Sequence, residues 1–338
     1  MDACRHLELL KMDGTTRLFS DWQLHVAKPV HDAQLRNLFL QVFGHPISED
    51  EWNWKYAHTE FRGSLLTKES GEVIGFFGGM PRLFTYQGQI FHGIQNGDVM
   101  VRPSERGVFS KKGAFYQVSS HFIKNFIGPG SAYAFGFGFP NQRAFQLGIQ
   151  LKLYQKSGQL QELSWDQKES KWHWSWHWSP VNENIESTVD TLWKQMQRSW
   201  FDYFLPVRDS NYFTWRYQKR PSTKYQVLLI RQRITGKPLA VLCMRIHETY
   251  CHWVDYVGGH THLGIAIQAA REFSHTQGKP LRALLSDAIA GHFLSAQPEQ
   301  ASIKPTDILI PTNISNNPDE VRPWFHRFWL MGGDSDFM

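Results

Sequence analysis

Two tripeptides constrain the fold of this chain more than anything else in it: Trp54-Lys55-Tyr56 and, in the other half, Trp215-Arg216-Tyr217. The residues after each triplet repeat as well. Residues 64–68, a turn at Ser70-Gly71 and residues 73–80 read as strand, turn, strand; residues 225–231, Thr235-Gly236 and 239–246 read the same way. A third strand then carries an aspartate, Asp98 or Asp255, and leads through a glycine-containing loop to a helix and a further strand. A chain that writes one plan twice is expected to fold as two copies of one unit, and 338 residues suffice for two cores.

Local signals fill in the plan. Leu35, Leu38, Phe39 and Val42 fall at helical spacing within residues 32–43. Ser48-Glu49-Asp50-Glu51 is a capping box, with Ile47 and Trp52 placed as a hydrophobic staple, so a helix should lead into Trp54. In the second half Val189, Leu192, Trp193 and Met196 share one face of a helix over residues 185–200, and another helix is expected over 263–276. Tyr86-Gln87-Gly88-Gln89 reads as a hairpin turn. Strict alternation in Trp172-His173-Trp174-Ser175-Trp176-His177-Trp178 predicts a half-buried strand opening the second domain. The polar run before it puts a boundary near residues 162–171. The expected organisation is therefore an N-terminal segment 1–16, one domain over 17–163 and a second over 170–338.

The stretch from Asp98 to Asn141 carries the chemistry. The strand Asp98-Val99-Met100-Val101 runs into Glu105-Arg106-Gly107-Val108-Phe109-Ser110-Lys111-Lys112-Gly113, a helix is expected over 114–126, and the strand 133–139 ends at Pro140-Asn141, where another helix starts. A loop rich in lysine and glycine before a helix start offers backbone N–H groups and the positive end of a dipole to an anion. The formal charge of +5 suits an anionic small molecule; with Lys and Arg spread along the chain it argues against nucleic acid. Three cysteines (Cys4, Cys243, Cys251) make no disulfide framework and no CxxC pair, there is no apolar run of signal-peptide or membrane-span length, and a cytoplasmic protein is expected. His260-Thr261-His262 and Cys251-His252 offer metal-capable atoms without a further spaced set, so no metal is expected.

This order of elements resembles the GNAT superfamily of N-acetyltransferases, most closely over residues 17–157. Residues 98–107 resemble the family's fourth strand and the start of its acyl-CoA loop, and Phe137-Gly138-Phe139-Pro140-Asn141-Gln142-Arg143-Ala144 resembles its fifth strand and fourth helix. The second half resembles a diverged copy, and Trp329-Leu330-Met331-Gly332-Gly333-Asp334-Ser335-Asp336 resembles the tails of uncharacterised bacterial tandem members. Aligned at Arg106, Phe109 and Lys111 stand where the family has small residues; Gly148 stands where many members carry a tyrosine that protonates the departing thiolate.

The resemblance implies an α/β (α+β) fold of two tandem GNAT-like domains, each a mixed, mainly antiparallel twisted sheet flanked by helices. It implies acetyl-CoA or another acyl-CoA as co-substrate and a small-molecule amine as acceptor, with no membrane partner. Met100 and Val101 would pair with the extended arm of the cofactor through their backbone. Arg106, Gly107, Val108, Phe109, Ser110, Lys111, Lys112 and Gly113 would hold its diphosphate, and Asn141 would touch it where the strands splay. Asn141 reads equally well as a helix N-cap. Asp98 would relay a proton, or serve as a structural aspartate paired with a nearby base; Tyr154 is a candidate acid. Two further readings stay open: a non-catalytic module for acyl-CoA sensing or protein contacts, and an aminoacyl-tRNA-dependent transferase, against which the dispersed charge argues.

Overall fold

The computed structural model describes residues 16–17, 22–57, 59–169, 172–181, 184–297, 301–313 and 326–335. They form β1 (Thr16–Arg17), β2 (Trp22–Ala27), α1 (Asp32–Phe43), α2 (Glu49–Tyr56), β3 (Gly63–Lys68), β4 (Val73–Tyr86) and β5 (Gln89–Val101). Next come α3 (Ala114–Phe126), β6 (Phe135–Gly138), α4 (Gln142–Gln150), β7 (Gln155–Trp165), β8 (Trp176–Pro180), α5 (Glu186–Ser199), β9 (Leu205–Pro206) and α6 (Ser210–Phe213). The remainder is β10 (Gln226–Gln232), β11 (Pro238–Ile246), β12 (Cys251–Gly258), α7 (Leu263–Thr276), β13 (Leu281–Ser286), α8 (Asp287–Ala296) and β14 (Ala301–Asn313). No described helix is long and apolar enough to cross a membrane. Two compact units divide the chain: residues 1–82, 91–156 and 310–323 in the first, 83–90, 157–309 and 324–338 in the second.

Helix ends follow the caps. The Ser48 hydroxyl accepts from the Glu51 N–H at 3.1 Å, and Ile47 packs into the same apolar cluster as Trp52. α1 stops at Gly44, whose φ of 78° lets the chain leave the helix. The β4–β5 turn puts Gln87 and Gly88 at φ 49° and 76°, the two left-handed positions a tight hairpin requires.

In the first unit the sheet runs β1-β2-β3-β4-β5-β6, followed by residues 312–313 of β14. β5 and β6 are parallel; β2–β3 and β3–β4 are antiparallel. Both faces are covered. Leu66, Ile74, Phe77 and Ile94 pack on Val118, Phe122 and Phe126 of α3, while Leu65, Val73, Phe76 and Met100 pack on Leu35, Leu38 and Phe39 of α1 and Trp52 and Tyr56 of α2. In the second unit the order is β14-β7-β13-β12-β11-β10-β8, again with one parallel pair, β12–β13. Its core gathers Val189, Leu192 and Met196 of α5 and Ala266, Ile267 and Ala270 of α7 around β10–β13.

The tryptophan alternation is corrected by the structure. The strand begins at Trp176, and Trp172 and Trp174 are 64 % and 83 % exposed. Arg233 explains this: its guanidinium donates to the carbonyls of His173 and Trp176 and lies 3.7 Å over the Trp172 ring, while the His173 ring stacks on Trp176. With the Arg233 N–H donating to the Ser175 carbonyl at 3.0 Å, these contacts hold residues 172–176 against Arg233.

Candidate active site

The first unit contains a fork between its two parallel strands. β5 and β6 pair from Gly93↔Phe135 to Asn96↔Gly138. β6 ends there, and β5 continues to Val101 beside β4. Two residues past the last pair stands Asp98, with φ at 48° inside a strand. Left-handed backbone in a non-glycine residue costs energy and persists where its surroundings hold it, aspartate tolerating it better than most.

A buried clamp does the holding. Lys55 Nζ meets the Asp98 carboxylate at 2.7 Å, Tyr56 OH donates to Oδ2 at 2.7 Å, and the Lys55 and Asp98 side chains are each 6 % exposed. The tyrosine reaches the carboxylate because β4 passes beneath it as Gly78: a Cβ there would lie 2.4 Å from Tyr56 OH. Asp98 is thus tied to both charged or polar residues of the first repeated triplet, the structural pairing weighed from the sequence. The triplet was legible; its partner, more than forty residues along the chain, was not.

Beyond the fork the loop is pinned at its base. Arg106 Nε donates to the Val101 carbonyl at 2.8 Å. Lys68 pairs with Glu105 at 2.9 Å and with Glu72 at 3.2 Å, and Glu72 also takes Arg102. Gly107 has φ 105°, which a side chain would strain. Ser110, Lys111 and Lys112 are exposed, as are Val108 and Phe109. Phe109, where a small residue was expected, lies out in solvent with the Arg143 guanidinium 6.0 Å from its ring, so its bulk does not fill the fork. The Ser110 carbonyl accepts from Gly113 N–H at 2.9 Å, folding the loop so tightly that a Cβ on Gly113 would fall 2.0 Å from the Val108 carbonyl oxygen. Gly113 is the N-cap of α3; no side chain caps this helix and no acidic residue lies in its first turn. Its N–H groups and dipole face the loop without a built-in anion, an arrangement that fits a diphosphate.

Across the fork, the Asn141 side chain accepts from Ala144 N–H at 2.9 Å and caps α4. Tyr154, after that helix, lies directly on Gly148: a Cβ at 148 would sit 2.0 Å from its ring. The ring also meets Phe115, in the first turn of α3, edge-on at 6.5 Å. The space beside Gly148 is therefore filled by the ring of Tyr154, six residues later. Burial raises the Tyr154 phenol far above its ordinary range, so it keeps its proton. Met100 is buried in the cluster under α1 and α2, consistent with a role for its backbone alone.

The same pattern recurs inside the second unit. Parallel pairing of β12 and β13 ends at Trp253↔Ala283, and Asp255 stands two residues further on. Tyr217 OH donates to Asp255 Oδ2 at 2.5 Å, the counterpart of Tyr56 and Asp98. In place of a lysine from the triplet, Arg208 Nε meets Asp255 at 2.8 Å. His260 joins a hydrogen-bonded chain, 3.1 Å from His292, which meets Tyr203 OH at 2.6 Å. Among the described residues no three His, Cys, Asp or Glu side chains are grouped to hold a metal ion.

No protein-family model and no curated protein sequence matches the chain. Solved structures do. A probable N-acyltransferase of unknown function from Enterococcus faecalis superposes with a TM-score of 0.69 over 87 % of this chain and 72 % of its own, at 12 % identity. A GCN5-related N-acetyltransferase from Anabaena variabilis gives 0.65 over 87 % and 73 %, at 16 % identity. The fold is a GNAT fold. The Saccharomyces cerevisiae N-myristoyltransferase with bound myristoyl-CoA superposes with a TM-score of 0.57 over 89 % of this chain and 80 % of its own, at 10 % identity. Each unit carries one fork between its parallel strands.

Proposed function

We propose that the chain is an acyl-CoA-dependent N-acyltransferase that works in its first unit, with acetyl-CoA as donor and a small-molecule amine as acceptor. One observation carries this reading: β5 runs on past its last pair with β6, and its Val99–Val101 stretch leads directly to a basic loop and a helix start that no side chain caps. Acyl-CoA supplies an activated thioester when bound. The chain's own groups would do the rest. Arg106, Lys111 and Lys112 offer charge to the diphosphate, Ser110 a hydroxyl, and Gly107, Val108, Phe109 and Gly113 their backbone. The backbone of Met100 and Val101 aligns the extended arm and sets an N–H against developing negative charge. Tyr154 offers its hydroxyl proton to the departing sulfur, and Asn141 lines the far prong of the fork. Asp98 acts as a positioning residue, since the clamp that fixes its backbone also occupies its carboxylate.

That occupied carboxylate, with a tyrosine made less acidic by burial, favours one alternative: a module that binds acyl-CoA without turning it over. Calorimetric titration of the full chain with acetyl-CoA and free CoA tests both readings. Saturable binding, weakened about tenfold by Arg106→Glu and by Lys111→Glu, is expected. Release of free thiol in the presence of an amine panel supports the enzyme, and binding without release supports the sensor. No binding of either ligand refutes the site.

A further inference from the structure

The fork of the second unit is filled by the chain itself. Where β13 leaves β12, residues 328–335 enter. On the β13 side Ser286 N–H donates to the Leu330 carbonyl at 2.9 Å, Leu330 N–H donates to Ser286 Oγ at 3.2 Å, and Met331 bridges Leu285 in antiparallel fashion. The segment then crosses to β12, where a Cβ on Gly333 would lie 3.1 Å from the Val254 carbonyl oxygen and 2.2 Å from Tyr217 OH. Two fully buried arginines read its backbone and its acid. Arg216 donates to the carbonyls of Gly333 at 2.8 Å and Ser335 at 2.9 Å, and Arg208 bridges Asp255 and Asp334, the latter at 2.6 Å. Phe328 is 2 % exposed and Trp329, Leu330 and Met331 are 0 % exposed.

We propose that this fork is a peptide-binding slot, selective for a segment that places Gly333 and Asp334 in a single 3-10 turn after a strand-like stretch, and that residues 328–335 are its resident ligand. The selectivity follows from the contacts. Gly333 is required because Tyr217 leaves no room for a side chain, Asp334 because its carboxylate meets Arg208 and accepts from the Met331 N–H, and Trp329 adds a ring 4.6 Å from the Arg208 guanidinium. The segment occupies the strand edge of this fork, which the amide-bearing arm of acyl-CoA would also need, so it excludes acyl-CoA from the second unit. This last point rests on the acyl-CoA reading of the first unit. Tethering holds the segment at a local concentration that no free competitor reaches.

Two measurements on the full chain test the proposal separately from that reading. Calorimetry with acetyl-CoA is expected to give one equivalent; two equivalents overturn exclusion, and none refutes the acyl-CoA reading while leaving the slot to the second measurement. Hydrogen exchange is that measurement. The amides of residues 328–335 should exchange as slowly as those of β13, and Gly333→Val should speed them at least tenfold while β3 and β4 are unchanged. A synthetic peptide of the sequence of residues 326–337 should restore slow exchange to β12 and β13 in Gly333→Val, and a scrambled peptide should not. Should Gly333→Val fail to fold, Asp334→Asn, which keeps the shape and removes the charge, is expected to speed the same amides. Fast exchange of the segment in the unaltered chain, no change in either variant, or no effect of the peptide overturns the slot.

Discussion

Replacing Lys55 with methionine keeps an unbranched stem and removes the cation that faces Asp98, and the cost can be worked from the clamp. Unit charges 2.7 Å apart attract by about 6 kcal/mol at an effective dielectric near 20. Part of that attraction is offset by the desolvation of both groups, and stripping one partner from a buried pair costs about 3–5 kcal/mol. Asp98→Asn tolerates the left-handed backbone and still accepts from Tyr56, but leaves the Lys55 cation facing an amide; about 2–4 kcal/mol is expected, at the low end of the same range. The informative variant is the double one. With cation and carboxylate both gone, no uncompensated charge remains, so Lys55→Met/Asp98→Asn should recover about 2 kcal/mol or more of the summed losses. Urea unfolding of the four proteins, followed by fluorescence, closes the cycle. Losses that simply add would show that the two groups do not form one energetic unit and that something other than the clamp holds the left-handed backbone at residue 98.

Acid should weaken the second unit through His252. Burial, with lesser contributions from His247, Arg245 and Arg282, pushes this imidazole down to about 3 from 6.5. The unfolded chain then binds the extra proton between those values, so stability is full above pH 6.5 and falls as pH drops toward 3, by at most about 5 kcal/mol. His252→Leu should flatten that limb of a stability-against-pH curve; an unchanged slope assigns the acid sensitivity elsewhere. Burial, and secondarily His25, takes His121 to about 4 in the first unit, so His121→Leu should flatten the acid limb there too. In the first unit, Gly148→Ala puts a methyl 2.0 Å from the Tyr154 ring and should cost about 1–3 kcal/mol by overpacking. Adding Tyr154→Ala should relieve that strain, so a thermal-melt cycle that shows additivity would contradict the contact.

Elements built on short-range physics were readable from the chain. α1, α3 and α7 span the residues their apolar spacing and flanking glycines or caps pointed to, and the Ser48 box forms as its spacing requires. The loop before α3 was readable for the same reason, because a helix start is a local event. Contacts across long stretches of sequence escaped. The repeated triplets announced that Lys55 and Tyr56 mattered, yet nothing adjacent names Asp98 as their partner. The gap at Gly148 looked like a loss, because a ring arriving from Tyr154 leaves no mark at position 148. The alternating tryptophans misled in the opposite direction: alternation describes side chains, and Arg233 captured the backbone instead.

The segment held in the second fork also sets an order of events. Arg208 and Asp255 are both fully buried, and one of the two carboxylates that Arg208 faces, Asp334, lies near the far end of the same unit's sequence. A chain emerging from the ribosome therefore presents strands β10 to β13 while their fork is still open, with Arg208 held by Asp255 alone and an unpaired strand edge beside it. The first unit closes its corresponding clamp on Gly78, a residue already made by the time Asp98 appears. One half can close its clamp as it is synthesised, and the other keeps its fork open until residues 328–335 arrive, an interval in which the open edge is available to any chaperone or neighbouring chain.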